Sequence, residues 1–304
     1  MSEKVLMKGN EVLAESAMRA GCKYFFGYPI TPQTELSAYM SKHMPKIGGT
    51  FLQAESEVAA INMVYGAAAA GARVMTSSSS PGISLKSEGV SYIAGADLPA
   101  VIINVMRGGP GLGSIQPSQS DYWQATRALG HGDFQMVVYA PSTVQEMADY
   151  VAKAFDVADE YRTPVMILLD GLLGQMMEPV ELPEPKESIP DKPWACTGTK
   201  GKREHNIANS LYLDADLLDQ TNRDRYERYD KIKATEQLSE EYLCDDADIV
   251  VVAFGAAARI ARNAVNAARE QGIKAGLFRP ITLWPFPADA LERTTGHAKG
   301  YLSV

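Results

Sequence analysis

The sequence is short of cysteine, of histidine and of excess positive charge. Its 304 residues include 3 cysteines and 4 histidines, and the formal net charge is −8. Because Cys22, Cys196 and Cys244 form no Cys-x-x-Cys pair, we expect neither a structural zinc nor an iron–sulfur cluster on this chain. Such sparse thiols are typical of a reducing compartment, so a cytoplasmic location is expected. The acidic balance argues against a nucleic-acid partner, which would favour a basic surface.

Long hydrophobic runs are missing as well. No apolar stretch approaches the ~20 residues that cross a bilayer, and the first residues, MSEKVLMKGNEV, lack the apolar region of a signal peptide. We therefore expect no membrane partner. At 33.0 kDa the chain is long enough to bury a core without disulfides or metals, and its length suggests about two domains.

The first part of the chain alternates short apolar runs with helical patterns. The length and β-branched content of these runs predict buried parallel strands. Repeated βα units of this kind predict an α/β fold built on a doubly wound parallel sheet, followed by a second, smaller Rossmann-like α/β domain. The expected strands are Tyr24–Gly27, Thr50–Gln53, Arg73–Thr76, Ala100–Val105, Gln135–Tyr139 and Pro164–Leu169.

Helical patterns fill the gaps between the runs. Asn10 is a candidate N-cap for the first helix, and Gly21 follows its end. The stretch 57–70 is alanine-rich and apolar almost all round, which predicts a helix that is buried on several sides. Ser142 and Gln145 have the spacing of a capping box ahead of a further amphipathic helix.

A change of composition follows the first unit. Closely spaced prolines between 179 and 193 predict an extended linker, and the charge-rich stretch 214–237 predicts a solvated or subunit-bridging helix. We place the domain boundaries at 1–183, 184–243 and 244–304.

The second α/β unit has strand patterns at 249–254 and 275–278 around a helix at 256–271. It is shorter than a common domain of ~100 residues. Its last strand, 300–304, is expected to be buried although no helix follows to cover it. We therefore expect this unit to be incomplete.

The unusual residues of the first unit follow its predicted strands. In open α/β sheets ligands bind beyond the carboxyl ends of the strands, so four special loops at one edge predict one ligand site. These loops are 27–32 (GYPITP), 53–57 (QAESE), 76–82 (TSSSSPG) and 107–113 (RGGPGLG).

Each loop taken singly also fits a structural role. The prolines and glycines can form turns, and the serines can cap a helix. The loop at 107–113 is neither a P-loop nor a dinucleotide fingerprint, because its glycine spacing fails both patterns. A purely structural role explains Glu57 less well. It begins a nearly all-apolar helix, where a carboxylate is partly desolvated and needs a partner.

Together these segments resemble the pyrimidine-binding domain of the alpha-type subunit of 2-oxoacid:ferredoxin oxidoreductases. The resemblance covers residues 1–183 strongly and the second α/β unit, which looks like a transketolase C-terminal domain, more loosely. The 3-methyl-2-oxobutanoate (2-ketoisovalerate) branch is the most similar. The matching segments are Tyr28-Pro29-Ile30-Thr31-Pro32, Ser56-Glu57 with the alanine-rich helix after it, Ser80-Pro81-Gly82, Arg107-Gly108-Gly109-Pro110-Gly111, 116–122 (QPSQSDY) and 130–133 (GHGD).

The resemblance implies thiamine diphosphate as the cofactor. Glu57 matches the carboxylate that hydrogen-bonds the aminopyrimidine ring, and Thr31 and Arg107 match the groups that bind the substrate carboxylate. These three are the expected catalytic residues. Glu55, two residues from Glu57, is the second candidate for the carboxylate. The resemblance assigns the cofactor-binding surface to Tyr28, Pro29, Ile30, Thr31, Glu57, Ser80 and Pro81.

The resemblance implies the oxidative decarboxylation of a 2-oxoacid to acyl-coenzyme A and CO₂ with reduction of ferredoxin. The chain lacks some of the groups that this reaction needs. In the family that the chain resembles, a Gly-Asp-Gly motif marks the magnesium site that holds the diphosphate. No Gly-Asp-Gly occurs here, since Gly132-Asp133 is followed by Phe134. The resemblance therefore implies that the diphosphate and Mg²⁺ are held by a beta subunit. With no cluster ligands here, the iron–sulfur clusters are expected on ferredoxin-like and gamma subunits. Coenzyme A is the implied acyl acceptor.

The resemblance implies that the substrate is a 2-oxoacid. Arg107 is the only cation in the four loops, because Lys86 lies on the helix beyond Gly82, and this favours an apolar substrate side chain as in 3-methyl-2-oxobutanoate. The alternatives are a 2-oxoglutarate enzyme, a non-redox thiamine-dependent subunit and a non-catalytic α/β protein. His131 stays outside the catalytic set, because a histidine between glycines is more often a turn residue.

Overall fold

The computed structural model describes residues 4–304 as strands and helices in alternation. The strands are β1 (Val5–Lys8), β2 (Tyr24–Gly27), β3 (Thr50–Gln53), β4 (Val74–Ser78), β5 (Ala100–Met106), β6 (Val137–Tyr139), β7 (Pro164–Asp170), β8 (Met177–Val180), β9 (Ser239–Tyr242), β10 (Ile249–Val252), β11 (Ala275–Pro280), β12 (Thr282–Trp284) and β13 (Gly300–Ser303). The helices are α1 (Gly9–Arg19), α2 (Thr34–His43), α3 (Glu57–Ala69), α4 (Ser80–Gly95), α5 (Val144–Tyr161), α6 (Gly171–Gln175), α7 (Ala215–Thr235), α8 (Gly255–Glu270) and α9 (Ala288–Arg293).

The first unit is a seven-stranded sheet in the order β12-β6-β7-β5-β4-β2-β3. All neighbouring strands are parallel except β12, which pairs antiparallel with β6. Helices α1, α2 and α5 cover one face, and α3 and α4 cover the other. The doubly wound α/β fold predicted from the sequence is confirmed. Two of the six expected strands match the observed bounds, and the other four differ by one or two residues at one end or, for β4, at both ends.

The central strands explain why the fold forms. Every residue of β4, β5 and β7 is buried, and adjacent residues such as Ile102 and Ile103 face opposite helical layers. A strand buried on both faces must be apolar throughout unless a polar side chain finds a partner inside. Polar residues in these strands are therefore candidates for a role other than core packing.

Two predicted helix starts are wrong. Strand β1, which was not predicted, pairs antiparallel with β8 and runs directly into α1, so Asn10 lies inside the first turn rather than at the cap. Gly21 does follow the end of α1 and has φ of +88°. At α5 the cap is Thr143, one residue after the expected Ser142, and its Oγ1 accepts a hydrogen bond of 3.0 Å from the Glu146 amide.

Helix α3 is less buried than expected. Its face toward α4 and the sheet is closed, but Val58, Asn62, Gly66 and Ala70 form an exposed stripe with one residue per turn. The sequence could not reveal this, because a helix that is apolar all round has no pattern to say which face is open.

The linker and α7 pack onto the first unit. The Lys186 amide donates to the Arg19 carbonyl (2.7 Å), and the Cys196 amide donates to the Ala69 carbonyl (2.8 Å). Helix α7 buries Tyr229 and Ile232 in the core that contains α1 and α5, while most of its other side chains are exposed. Its surface is thus solvated as expected, with one anchored face.

The second unit is a four-stranded sheet in the order β13-β10-β11-β9. The edge strand β13 is parallel to β10, but Tyr301 and Leu302 are 44% and 56% exposed. The expectation that this strand is buried is wrong, because its side chains lie at an edge that no described element covers. The proposed boundaries 1–183, 184–243 and 244–304 stay a prediction. No helix among residues 4–304 is long and apolar enough to cross a bilayer.

Candidate functional site

The candidate site lies at the carboxyl edge of the seven-stranded sheet. Strand β2 pairs with β3 on one side and with β4 on the other, so the chain reverses its winding direction between β2 and β4. Such a switch point leaves a crevice at the strand ends, where ligands bind. The loops after β2, β3, β4 and β5 meet there, as the sequence predicted.

Glu57 is the first residue of α3 and is only 6% exposed. Ser56 caps the helix by accepting a hydrogen bond of 3.1 Å from the Ala59 amide, which fixes the position of the next residue. The carboxylate lies against Gly82, where a Cβ would come within 2.8 Å of Glu57 Oε1. Among residues 4–304 no hydrogen bond reaches this carboxylate. Glu55 is exposed, so the buried candidate is Glu57.

Arg107 follows β5 and is also 6% exposed. Its Nη1 donates to the Thr31 carbonyl (3.0 Å) and its Nη2 to the Leu112 carbonyl (2.7 Å), while Nε is buried without a partner. None of the ion pairs of the described residues involves Arg107. A buried guanidinium that meets only carbonyls keeps its full charge available for an anionic ligand.

Ser80 and the residues after it link Arg107 to Glu57. Its Oγ accepts from the Arg107 amide (3.0 Å) and donates to Asp121 Oδ2 (2.6 Å). Ser80 opens α4 and Pro81, which is half-buried, follows in its first turn, so Gly82 is brought against Glu57. The segment 80–82 therefore contacts both Arg107 and the Glu57 carboxylate and fixes their relative position.

Asn104 and Asp121 complete this network and were not selected from the sequence. The Asn104 Oδ1 accepts from the Ser80 amide (3.1 Å), and its Nδ2 donates to Asp121 (2.9 Å). A signal existed for Asn104, which is the one polar residue of β5 (AVIINVM). Asp121 belongs to the segment QPSQSDY, but a separation of 17 residues in sequence does not reveal the contact.

The loop after β2 is held by polar contacts from β4 and from α1. Gln33 donates to the Tyr28 carbonyl (3.3 Å) and accepts from Ser77 Oγ (2.6 Å), and Asn10 donates to the Pro32 carbonyl (2.9 Å). Within this loop Pro29 and Thr31 are exposed, while Tyr28 and Ile30 are partly buried. The expected cofactor-binding residues of this loop thus lie at the surface of the crevice.

Lys86 is a further residue that the sequence did not indicate. It is fully buried on α4, and its Nζ donates to Thr76 Oγ1 at 3.1 Å. Burial lowers the pKa of Lys86 to about 8, and the nearby charge of Glu57 acts in the opposite direction. Next to Thr76, the hydroxyls of Ser78 and Ser79 are buried without hydrogen-bond partners.

These features fit the pyrimidine end of thiamine diphosphate. The ring needs a buried carboxylate that is free to make a hydrogen bond, and Glu57 is one. The absence of a side chain at Gly82 lets α4 lie against this carboxylate. The hydroxyls of Ser78 and Ser79, which have no hydrogen-bond partner among the described residues, can meet further polar atoms. Among residues 4–304, no group of three or more His, Cys, Asp or Glu side chains could hold a metal. His131 is exposed, with Nδ1 at 3.4 Å from Ser91 Oγ.

Comparison with protein families gives two matches that cover most of the chain. Residues 15–241 match the family "Pyruvate flavodoxin/ferredoxin oxidoreductase, thiamine diP-bdg". Residues 247–304 match "Pyruvate:ferredoxin oxidoreductase core domain II".

Curated relatives and a solved structure agree with these matches. The ketoisovalerate oxidoreductase subunit VorB of Methanothermobacter thermautotrophicus is 52% identical over 98% of this chain and 85% of its own length. The 2-oxoglutarate synthase subunit KorA of Archaeoglobus fulgidus is 38% identical over 96% and 84%. The 2-oxoglutarate:ferredoxin oxidoreductase of Magnetococcus marinus superposes with a TM-score of 0.88 at 26% identity, over 99% of this chain and 58% of that one.

Proposed function

Because this chain belongs to the pyruvate flavodoxin/ferredoxin oxidoreductase family of thiamine diphosphate-binding proteins, we propose that it is the alpha-type subunit of a 2-oxoacid:ferredoxin oxidoreductase that acts on 3-methyl-2-oxobutanoate. The reaction is the oxidative decarboxylation of the 2-oxoacid to acyl-coenzyme A and CO₂ with reduction of ferredoxin. The match to a family of oxidoreductases argues against the alternative of a non-redox thiamine-dependent subunit.

The observation that carries this proposal is a buried carboxylate and a buried guanidinium at one sheet edge, neither of which forms a salt bridge within residues 4–304. Thiamine diphosphate, when bound, supplies the electron sink that decarboxylation requires. Glu57 holds the hydrogen bond to the aminopyrimidine nitrogen. Arg107 and Thr31 bind the substrate carboxylate, with the Arg107 side chain oriented by the carbonyls of Thr31 and Leu112.

The remaining site residues form the surface against which the pyrimidine ring lies. Tyr28, Pro29 and Ile30 come from the loop after β2, and Ser80 and Pro81 come from the start of α4. Their contribution is shape and exclusion of water, because a hydrogen bond to Glu57 is worth more where water does not compete.

The test of Glu57 has a matched control two residues away. In the complete complex, Glu57→Gln should slow exchange of the thiazolium C2 proton by about 10²–10⁴-fold, the range of a proton-transfer group. Glu55→Gln should leave it unchanged, because Glu55 is exposed. Exchange is followed by proton NMR in deuterium oxide, and thermal unfolding checks that both variants are folded. Near-normal exchange in Glu57→Gln would remove Glu57 from this role.

Partner subunits supply what this chain does not. We propose that a beta subunit holds the diphosphate through Mg²⁺, that ferredoxin-like and gamma subunits hold the iron–sulfur clusters, and that coenzyme A is the co-substrate. Exposed apolar side chains such as Ile207 (83%) and Leu213 (93%) support a chain that is covered by partners. Iron analysis of the separately purified subunits tests this: iron bound by this chain alone would contradict it. The sparse cysteines support a cytoplasmic location.

The substrate choice has a specific structural argument. A 2-oxoglutarate enzyme needs a second cation for the distal carboxylate, and Lys86, on the helix that follows these loops, is fully buried and hydrogen-bonded to Thr76. An apolar substrate side chain is therefore favoured, in line with the name of the VorB relative. Comparison of kcat/KM for 3-methyl-2-oxobutanoate and 2-oxoglutarate on the whole complex decides the question. A preference for 2-oxoglutarate would refute the choice.

A further inference from the structure

Arg107 and Asp121 are the two buried ends of an exposed loop. Residues 109–117 between them are all exposed, whereas Arg107 is 6% and Asp121 is 8% exposed. A buried carboxylate is usually paired with a cation. Within residues 4–304 Asp121 forms no salt bridge, and its Oδ2 accepts hydrogen bonds from Ser80 Oγ (2.6 Å) and Asn104 Nδ2 (2.9 Å). Ion pairing therefore does not explain why an acid is buried here.

The backbone of Arg107 lies one residue beyond the end of β5 and is held by hydroxyl groups. Its amide donates to Ser80 Oγ (3.0 Å), and its carbonyl accepts from Ser120 Oγ (3.1 Å). The side chain of Arg107 extends from this point and donates to the carbonyls of Thr31 and Leu112. The hydroxyls thus fix the backbone position from which the guanidinium reaches the crevice.

Asp121 determines how the Ser80 hydroxyl is oriented. A hydroxyl has a single proton, and Ser80 Oγ donates it to Asp121 Oδ2 at 2.6 Å. A lone pair of the same oxygen is then free to accept from the Arg107 amide. The Arg107 carbonyl lies 3.3 Å from this oxygen and is the alternative acceptor at a longer distance. Asp121 therefore keeps Ser80 in the orientation that receives the Arg107 amide.

Asn104 closes this arrangement into a ring of three residues. Besides its hydrogen bond to Asp121, the Asn104 side chain accepts from the Ser80 amide at 3.1 Å. Ser80 opens α4, Asn104 lies within β5, and Asp121 follows the exposed loop. A buried network in which every member is bonded to the others makes a site rigid. The ring therefore anchors both ends of the loop that carries Arg107.

We propose that Asp121 is a positioning residue that holds Arg107 in place to bind the carboxylate of the 2-oxoacid. It acts through Ser80, whose hydroxyl receives the Arg107 amide, and it does not touch the substrate. The inference rests on the proposed function, in which Arg107 binds that carboxylate. Loss of Asp121 should weaken substrate binding in a complex that still assembles.

The experiment is steady-state kinetics of the complete complex with 3-methyl-2-oxobutanoate. Asp121→Ala removes the accepting oxygen and should raise KM by about 10- to 100-fold, the size of effect that a displaced positioning group produces. Asp121→Asn keeps an accepting oxygen in the same shape and should rescue most of this loss. A merely structural role would reduce the amount of active complex, which lowers kcat and leaves KM unchanged. An unchanged KM in Asp121→Ala would overturn the inference.

Asp170→Ala is the matched control at the same edge of the sheet. Asp170 is the last residue of β7, lies beside Met106 of β5 and is 3% exposed. It also accepts two hydrogen bonds, from the amides of Leu172 (2.9 Å) and Leu173 (3.1 Å) in α6. Because these partners do not hold Arg107, KM of Asp170→Ala should equal that of the parent. A rise as large as in Asp121→Ala would overturn the inference, since the loss of any buried acid at this edge would then suffice.

A double-mutant cycle with Arg107→Met tests whether Asp121 acts through Arg107. If it does, adding Asp121→Ala to Arg107→Met raises KM no further, whereas effects that add would overturn the inference. If Asp121→Ala fails to assemble, Asp121→Ser is used in the same cycle, because its side chain is too short to replace Oδ2, and the same KM rise is expected.

The Arg107→Met variant also separates this inference from the proposed function. An unchanged KM in Arg107→Met would refute the proposed role of Arg107, and this inference with it. A raised KM there together with the parent KM in Asp121→Ala would refute only the role of Asp121.

Discussion

Two arginines of this chain are equally buried and have opposite surroundings. Arg279, on β11 where the second unit meets α5, is 5% exposed, and Arg107 is 6% exposed. Arg279 donates to both Glu146 oxygens (2.9 and 2.7 Å), to Glu240 (2.9 Å) and to Ser142 (2.7 Å). Arg107 meets only two carbonyls. A buried charge that the protein neutralises serves the fold, and one that it leaves open is available to a ligand.

The same contrast separates other buried cations. Arg73 donates to Asp156 (2.7 Å) and Asp159 (2.8 Å) and so attaches α5 to the end of α3. Lys86 has a hydroxyl as its hydrogen-bond partner. Within residues 4–304, Arg107 and Lys86 form no salt bridge and lie beside the candidate site, whereas Arg73 and Arg279 form salt bridges that join two elements.

The largest expected effect concerns Arg107. Replacement by methionine in the complete complex should weaken binding of the 2-oxoacid by about 2–5 kcal/mol, because the substrate carboxylate loses its charged partner inside a desolvated site. Steady-state kinetics should show this as a raised KM. The free energy of unfolding should change far less than for the same replacement at Arg279. An unchanged KM would remove Arg107 from the substrate site and would weaken the distinction between the two arginines.

Arg279→Met is the complementary change. It leaves Glu146 without its guanidinium and should reduce the free energy of unfolding by about 3 kcal/mol, at the lower end of values for a broken buried pair because Glu240 is partly exposed. Chemical denaturation measures this. KM for the 2-oxoacid should be close to that of the parent in the folded variant, so a raised KM at parent-like stability would contradict the structural assignment.

The Arg279 variant also carries a pH signature. Burial by itself raises the pKa of Glu146, and the hydrogen bonds and charge of Arg279 lower it by more, so the pKa is below its usual value. Stability from a depressed carboxylate pKa is present above the unfolded-state value of 4.5 and is lost as pH falls through the folded-state value. The advantage of the parent over Arg279→Met should therefore shrink in acid. An advantage that is constant from pH 7 to pH 3 would show that the pair contributes nothing.

A further prediction concerns the effect of Lys86 on the free energy of unfolding. Its pKa is about 8 in the folded protein and 10.5 when unfolded, so between these values the unfolded state binds more protons and stability rises with pH. The parent should gain up to about 3 kcal/mol relative to Lys86→Met from pH 8 to pH 10.5, since one pKa unit corresponds to about 1.4 kcal/mol. Denaturation of both proteins across this range measures the difference. A difference that does not change with pH would mean that Lys86 has an ordinary pKa.

The sequence predicted the parts of this molecule that depend on local pattern. Strands β2 and β3 match the expected bounds because each short apolar run ends at a glycine or a polar residue, Gly27 and Gln53. Glu57 was identifiable because it is the only charge at the start of an apolar helix. Strand β1 was missed, since VLMK is short and its pairing with β8 joins segments that are far apart in the sequence.

The missing parts of the site depend on tertiary contact. In the sequence SLKSEGV, Lys86 looks like a surface residue, and it is buried only because α3 packs onto Gly82 and Gly89. The spacing of those glycines was the available signal. Asn104 and Asp121 are joined through Ser80, which no local pattern reveals. The position of Arg107 was predictable, but its lack of an acidic partner was not, because that depends on every neighbour.

The smallest expected effect compares two threonines. Thr143 caps α5 by accepting from the Glu146 amide, and the Glu146 carboxylate in return accepts from the Ser142 amide at 2.7 Å while binding Arg279. Thr143→Ala should reduce the free energy of unfolding by about 1 kcal/mol, the usual value for a lost helix cap. Thr31 is exposed at the crevice, and Thr31→Ala should change stability by no more than about 0.5 kcal/mol while raising KM for the 2-oxoacid. Urea denaturation and steady-state kinetics on both variants test the pair. If Thr31→Ala lost stability and kept its KM, the crevice loop would be a structural element like the α5 cap, and unpaired polar groups at this edge would no longer indicate a ligand.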